Sequence, residues 1–376
     1  MRQRIMLALG TFLACIAACE SDPDTGFIKE VRSEGGVEVV GLHPLPRPLD
    51  PAHRWILEPV RTVSPGPEEA LLFYDLRAVL PLGTSRLVVH DPLSDAPLKI
   101  LDLATESLAA SFGRTGQGPG ELDDFLILMK GPGAGFSALD IVNRQVHRFT
   151  ETGEQLESLP FRPGMGVAGG AAMPGTGALL VVYPDNSGAK LASFDVDGNV
   201  VSMMGELPVR PPGVELGTLH RGRPMWTAIP SASITMFSAA PIVELHLADG
   251  TSRRLELPLT QRRITSGEIE QRMAQYPAFA SSLEPGPAAL TNFIYPVADS
   301  VFGLLLSDLW RAEEDVGLPR DSIYWRLFST NGEYLGVTGQ PDGYRFLGLG
   351  DGTLWARTLN DVGQPALAEL RLTQAN

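Results

Sequence analysis

From Gly36 onward, the chain alternates short apolar runs with polar positions, and clusters of glycine, proline, asparagine and aspartate separate the runs. This pattern is typical of short antiparallel strands. One stretch, from Thr265 to Tyr276, instead predicts a helix, because Thr265 and Glu268 form a capping-box pattern and Pro277 follows its end. We therefore expect an all-β chain with one short helical insertion.

The predicted hairpin turns fall into two interleaved series. The inner series lies near Gly83, Ala134, Gly175, Ala232, Ala298 and Asp351. The outer series lies at Thr105, Thr152-Gly153, Asp197-Gly198, Asp249-Gly250, Asn331-Gly332 and Val362-Gly363. The intervals are close to or above the propeller-blade period of about 40 to 50 residues, and two hairpins per interval make a four-stranded blade. The series predicts a six-bladed β-propeller of four-stranded antiparallel blades, with a large β-sandwich as the alternative.

The predicted blades span Phe73 to Phe112, Phe125 to Phe161, Val167 to Gly205, Met225 to Pro258, Leu290 to Thr338 and Tyr344 to Leu372. A spare strand, Trp55 to Val63, precedes them and is expected to pair with the last blade and close the ring. The expected organisation is a signal peptide over 1–18, a tether and N-terminal segment over 19–54, and the propeller over 55–376. A second insertion, Ser307 to Ser322, and the helix either cover one channel mouth or are solvated loops.

The segment between the first two predicted blades carries a recognisable motif. It contains Gly116-Gln117-Gly118-Pro119-Gly120-Glu121-Leu122, then Leu139-Asp140, then Gln145-Val146-His147-Arg148-Phe149 and the turn Thr152-Gly153. This succession resembles the NHL-type repeats of six-bladed β-propellers. Leu122 and the run Asp123-Asp124-Phe125 depart from the family pattern, which has an aromatic residue and a proline there. The resemblance is good over one repeat and implies a propeller fold.

The amino terminus has the features of an export signal. Arg2 and Arg4 precede an apolar run, Ile5 to Ala18, which is too short to span a membrane. The run ends in Ile16-Ala17-Ala18-Cys19, which resembles a bacterial lipobox and implies lipidation of Cys19, export and anchoring to the cell envelope. The alternative is an ordinary secretory signal with a chance cysteine.

The polar stretch from Glu20 to Glu34 then predicts a tether. Cys19 would be the only cysteine of the mature chain, since Cys15 is removed with the signal. Neither a disulfide nor a thiolate metal site is therefore expected within the domain.

Composition excludes some functions. The net charge of -14 would repel a phosphate backbone, so nucleic acid is not an expected partner. The six histidines lack zinc-finger spacing, and the glycines near 116 follow neither the Rossmann nor the P-loop pattern. The run Asp195-Val196-Asp197-Gly198 lacks the downstream ligands of a calcium loop and predicts a hairpin turn.

The segment from Ser111 to Phe125 is expected to cross from the first predicted blade to the second, and we call it the crossing loop. Charged residues in and near the crossing loop remain as candidates for a binding face or channel. They are Asp75, Arg77, Arg114, Glu121, Asp123, Asp124, Asp140 and His147. Arg–Asp pairing for structural reasons explains the same residues. The leading hypothesis is an envelope lipoprotein that binds a protein, peptide or glycan without a cofactor. The alternative resembles propeller lactonases and amidoglycolate lyases, hydrolases or lyases with Ca²⁺ or Zn²⁺ in the channel, where Asp140 and His147 would contribute.

Overall fold

The computed structural model describes residues 18–21, 27–44, 54–64, 73–118, 120–131, 133–173, 177–183, 190–206, 224–238, 240–247, 249–257, 263–275, 286–287, 291–306, 324–350 and 352–374. Strands account for nearly all of the regular structure, as the alternating pattern predicts. No helix in these ranges is long and apolar enough to span a membrane.

The N-terminal strands are β1 (Ala18–Ser21), β2 (Phe27–Glu34), β3 (Val37–Pro44) and β4 (Arg54–Val63). Unit 1 contains β5 (Ala78–Leu82), β6 (Arg86–His90), β7 (Leu98–Asp102) and β8 (Ser107–Phe112). Unit 2 contains β9 (Leu126–Lys130), β10 (Phe136–Asp140), β11 (Gln145–Phe149) and β12 (Gln155–Pro160). Unit 3 contains β13 (Gly166–Met173), β14 (Gly177–Tyr183), β15 (Lys190–Phe194) and β16 (Val200–Glu206).

Unit 4 contains β17 (Pro224–Ile229), β18 (Ala232–Phe237), β19 (Ile242–Leu247) and β20 (Ser252–Glu256). The short β21 (Arg263–Ile264), the helix α1 (Ser266–Gln275) and the short β22 (Gly286–Pro287) follow. Unit 5 contains β23 (Thr291–Ala298), β24 (Val301–Leu306), β25 (Tyr324–Ser329) and β26 (Tyr334–Gly339). Unit 6 contains β27 (Arg345–Gly350), β28 (Thr353–Leu359), β29 (Pro365–Gln374) and, as its outermost strand, β4.

Each unit is a four-stranded antiparallel arrangement, and its bounds lie within a few residues of the predicted segment. The predicted pairing of Trp55 to Val63 with the last strands is confirmed: β4 runs antiparallel to β29, from Leu367 opposite Val63 to Gln374 opposite Trp55. Two strands that are about 300 residues apart in sequence, β4 and β29, therefore share one sheet. Because β4 supplies the fourth strand of unit 6, the turn at Val362-Gly363 joins the second and third strands of that unit.

The first strands of the six units contact one another in cyclic order, β5 to β9, β13, β17, β23, β27 and back to β5. A buried hydrophobic cluster lies between the members of each neighbouring pair of units. Between units 1 and 2, for example, the rings of Phe112 on β8 and Phe149 on β11 pack with centroids 5.3 Å apart. Burial of apolar faces between neighbouring sheets thus stabilises the arrangement.

The helix predicted from Thr265 is α1. Its first turn follows Thr265, whose carbonyl accepts a hydrogen bond from the Ile269 amide at 3.2 Å. The second insertion, Ser307 to Ser322, lies outside the described residues, as do most residues of the predicted signal peptide.

Part of the stretch that was expected to be a tether, Glu20 to Glu34, is a strand in the structure: residues Phe27–Glu34 form β2. It forms a hairpin with β3 through Gly35-Gly36, both at positive φ, and β3 pairs in parallel with β20 of unit 4. Lys29 donates to the carbonyl of Asn331 in unit 5 at 3.1 Å. A glycine pair between alternating strands is a hairpin signal. Residues 27–34 therefore extend a sheet.

Candidate functional site

The first strands of the six units surround a central channel. It has a volume of about 610 Å³ and is lined by the first strands β5, β9, β13, β17, β23 and β27. Each first strand has a ladder partner on one side only, within its own unit. The opposite backbone edge is free to hydrogen-bond a polar ligand or water. The volume is that of a typical small-molecule or side-chain pocket.

Most of the channel wall is apolar or aromatic. The lining includes Trp226 on the first strand of unit 4 and Tyr295 on the first strand of unit 5. From unit 2 it includes Met129 on β9 and Phe125, which directly precedes that strand. The Tyr295 hydroxyl donates to the carbonyl of Phe346 at 2.9 Å, and burial raises the pKa of that hydroxyl, so it stays a neutral phenol. The wall therefore favours an apolar or aromatic group.

Charged groups mark the two ends of the channel. Arg77 precedes β5, whereas Lys130 ends β9 and Asp299 follows β23. In antiparallel sheets, the start of the first strand and the end of the second lie at the same edge. We call the face that carries the starts of the first strands the crossing face, because the chain passes there from one unit to the next.

Asp75 and Arg77, two of the sequence candidates, lie on the crossing face where units 6, 1 and 2 meet. Arg77 donates to Asp75 at 2.7 Å and to the carbonyl of Asp124 at 3.3 Å. Arg357 of unit 6 donates to the other oxygen of Asp75 at 3.3 Å. Asp75 thus bridges two guanidinium groups at the rim of the channel.

Asp140 is fully buried, and its carboxylate holds the crossing loop. It accepts the amide of Asp123 at 2.8 Å, the amide of Asn143 at 2.8 Å and the Asn143 side chain at 2.9 Å. Asp91 has the same position in unit 1, where it accepts the amides of Tyr74 and Asp75 at 3.0 and 2.7 Å. An aspartate after the second strand therefore fixes the segment before the first strand in both units. The carboxylate of Asp140 thus stabilises the crossing loop, and it does not line the channel.

Arg114 and Glu121 form an ion pair at 2.5 Å within the crossing loop. The Gly118 amide donates to Glu121 at 2.7 Å, and this bond, followed by the charge of Arg114, lowers the pKa of the Glu121 carboxyl. Gly118 is needed for space, because a Cβ there would lie 3.0 Å from the Glu121 carboxylate. Gly120 is needed for its φ of +76°.

The loop also closes on itself through backbone bonds. The Gly116 amide donates to the Leu122 carbonyl at 3.0 Å, and the Leu122 amide donates to the Arg114 carbonyl at 2.8 Å. Leu122, where the repeat family has an aromatic residue, is buried in the cluster between units 1 and 2. Asp123 accepts the amide of Phe125 at 3.1 Å. These hydrogen bonds fix the backbone of the crossing loop, and the side chain of Arg114 extends from it into solvent.

His147 lies away from the channel, on the third strand of unit 2. Its Nδ1 atom lies 2.9 Å from the Ser158 hydroxyl, and its Nε2 atom is buried without a hydrogen-bond partner among the described residues. Burial lowers its pKa. His90, on the second strand of unit 1, was not a sequence candidate, yet its buried Nε2 atom also lacks a partner in the described part of the chain. Both histidines belong to the packing between units.

Within the described ranges, no group of three or more histidine, cysteine, aspartate or glutamate side chains is placed to hold a metal ion. The structure brings together Asp75, Arg77 and Asp124 at the channel rim. Arg114 pairs with Glu121 in the crossing loop, which Asp140 holds through the Asp123 amide, whereas His147 lies away from the channel. Sequence analysis missed the aromatic channel residues Trp226 and Tyr295. Their signal is positional, since both occur near the start of a unit, where the first strand is expected.

Comparisons with known proteins concern the fold. No family model matches the chain, and no curated protein matches it. Among the similar solved structures is a Bacteroides fragilis protein named for its inferred export, with 12% identity and a TM-score of 0.51; the match covers 89% of this chain and 99% of that one. Another is a member of the DUF4221 family from Bacteroides vulgatus, with 10% identity and a TM-score of 0.50; the match covers 86% of this chain and 100% of that one. Such low identity carries over the fold and no activity.

Proposed function

We propose that this protein is a six-bladed β-propeller of NHL-like type, exported and anchored to the cell envelope by lipid at Cys19. It binds a protein, peptide or glycan at the central channel and does not catalyse a reaction. The cyclic contacts of the six first strands and the clusters between neighbouring units support the closed ring. The lipobox-like run ending at Cys19 supports export and anchoring.

The observation that carries the binding role is the channel itself. A cavity of about 610 Å³, lined mainly by apolar and aromatic side chains and by free strand edges, has the properties of a recognition site. The buried carboxylate of Asp140 accepts hydrogen bonds from two backbone amides and from the Asn143 side chain, and Glu121 is bound by the Gly118 amide and Arg114. These candidate acids serve the loop, so recognition falls to the channel wall and the rim.

The test is a binding screen of the purified domain against peptide and glycan libraries, followed by affinity measurements on two channel variants, Trp226→Ala and Phe125→Ala. We expect at least about tenfold weaker binding of the selected ligands, since buried aromatic anchors dominate such sites. Leu156→Ala, on the outermost strand of unit 2, is the control and should leave affinity unchanged. Ligands that bind all four proteins equally would contradict a channel site.

A second measurement addresses catalysis. Elemental analysis of the purified protein, combined with a lactone and ester activity screen, should find no stoichiometric metal linked to turnover. Turnover that depends on a bound metal and is lost in a channel variant would replace the binding role with the hydrolase or lyase alternative.

A further inference from the structure

The ion pairs of the crossing face in units 1 and 2 expose their cations. The side chain of Arg114 is 77% exposed, while that of its partner Glu121 is 19% exposed. Arg77 is 41% exposed, and its partner Asp75 is 20% exposed. In both pairs the carboxylate is recessed and the guanidinium is presented to solvent.

Most other ion pairs of the described residues have the opposite order. Arg148 is 22% exposed and its partner Glu157 is 45% exposed, and the pairs of Arg253 with Glu38 and of Arg86 with Glu151 follow the same order. The exceptions are the pairs of Arg61 with Glu369, Lys99 with Asp91, Arg254 with Glu244 and Arg357 with Asp75. A chain of net charge -14 thus exposes mainly carboxylates, but presents guanidinium groups on this part of the crossing face.

Large apolar side chains are exposed on the same face as these guanidinium groups. Tyr74, Leu93, Phe125 and Val142 each expose roughly half of their surface or more. They precede or start the first strands of units 1 and 2, or lie in the turns after the second strands, so they share the crossing face. Exposed aromatic residues together with arginine are the composition of protein-binding surfaces.

We infer that this surface, defined by Tyr74, Arg77, Leu93, Arg114, Phe125 and Val142, binds an acidic polypeptide segment that carries apolar side chains. The inference rests on the proposed function and specifies its ligand. The exposed guanidinium groups pair with carboxylates of the segment, and the apolar side chains contact the interleaved apolar residues. Phe125 and Arg77 also line the channel, so one apolar side chain of the segment enters the channel mouth.

The partly buried carboxylates of this surface favour a polypeptide over a ligand with a higher density of negative charge. Each guanidinium already has an acidic partner, Asp75 or Glu121, and Asp124 is exposed beside them. These carboxylates repel a continuous anionic surface such as a phospholipid bilayer, whereas a peptide places a few carboxylates at separate positions. A glycan would leave the exposed apolar side chains without a matching partner.

The experiment selects binders to the full mature protein from a phage-displayed library of random peptides. We expect the selected peptides to be enriched in aspartate and glutamate together with aromatic or aliphatic residues, and their affinity to fall as salt concentration rises. Arg114→Glu should weaken binding at least tenfold at low salt, and Arg114→Lys should retain it within about threefold, because the charge is kept. Arg371→Glu, an exposed arginine on β29, makes the same charge change away from this surface and is the control.

Thermal unfolding of each variant establishes that it folds, and Arg114 is suited to this purpose because its side chain is largely exposed. Selected peptides that are neutral or basic, or that bind Arg114→Glu normally, would overturn the inference while a loss of binding in Trp226→Ala still upheld the proposed function. Binding of glycans alone would have the same effect. Binding of phosphatidylglycerol vesicles that Arg114→Glu abolishes would replace the peptide with a lipid surface. Failure of every ligand class would overturn both proposals.

Discussion

His90 makes the stability of the fold sensitive to acid. Its side chain is 1% exposed, and its Nε2 atom lacks a partner among the described residues. The pKa of His90 is lowered from 6.5 to about 4, chiefly by burial and also by the positive charge of Arg77, against the opposing effect of Asp91, Asp124 and Asp75. Protonated His90 is therefore disfavoured in the folded protein.

The sign and size of the effect follow from the two pKa values. In the unfolded chain His90 takes up a proton near pH 6.5, whereas in the folded protein it does so near pH 4. The unfolded state binds more protons between these values, so the free energy of unfolding is unaffected above pH 6.5 and falls as the pH is lowered toward 4. The loss is about 2 kcal/mol at pH 5 and about 3 kcal/mol at pH 4, since each pKa unit is worth about 1.4 kcal/mol.

Urea denaturation at pH 7, 6, 5 and 4.5 measures this loss. The comparison is with His90→Leu, which cannot take up a proton and keeps an apolar group between units 1 and 2. The difference in free energy of unfolding between the two proteins should shift by about 2 kcal/mol in favour of the variant from pH 7 to pH 5. His147 and His246, whose pKa values burial also lowers, add to the loss equally in both proteins. Parallel pH profiles for the two proteins would refute the reasoning.

Three further outcomes are expected. Cys19→Ser should release the protein from membranes on fractionation; a variant that still sediments after a salt wash would contradict lipid anchoring. Deleting residues 1–34 should lower the melting temperature, because it removes β2 and exposes the edge of β3; an unchanged melting temperature would mean that this hairpin adds no stability. Asp140→Asn should cost about 1 to 3 kcal/mol in urea denaturation, since an amide cannot accept from all three donors that hold the crossing loop, and a smaller loss would contradict that role.

The units of the fold were predictable because each is specified locally. A turn such as Asp197-Gly198, with Gly198 at a φ of +80°, joins two strands whose apolar alternation is evident in the sequence. The pairing of β4 with β29 was predictable for a different reason, since a spare strand at one end of the chain matched a missing strand at the other. Neither inference needed any contact between units.

The N-terminal hairpin could not be predicted from composition. The stretch around Phe27–Glu34 is rich in charged residues, and such a composition predicts a solvated tether. Those charges have partners far along the chain: Arg32 pairs with Glu256 at 2.7 Å, and Arg253 pairs with Glu38. Polar composition predicts solvation, but it contains no information about an edge strand of another unit that can accept a new strand.

The candidate site shows the same limit. Sequence analysis selected residues that carry charge, yet a charge is useful for recognition only if local donors and acceptors leave it available. Asp140 and Glu121 are both acidic, but the amides of Asp123 and Asn143 donate to Asp140, and the Gly118 amide and Arg114 both bind Glu121. Arg114 has a partner as well, and still extends into solvent because that partner is recessed. Availability is set by which member of each pair is buried, a property of the packing between units 1 and 2 that the order of residues along the chain does not contain.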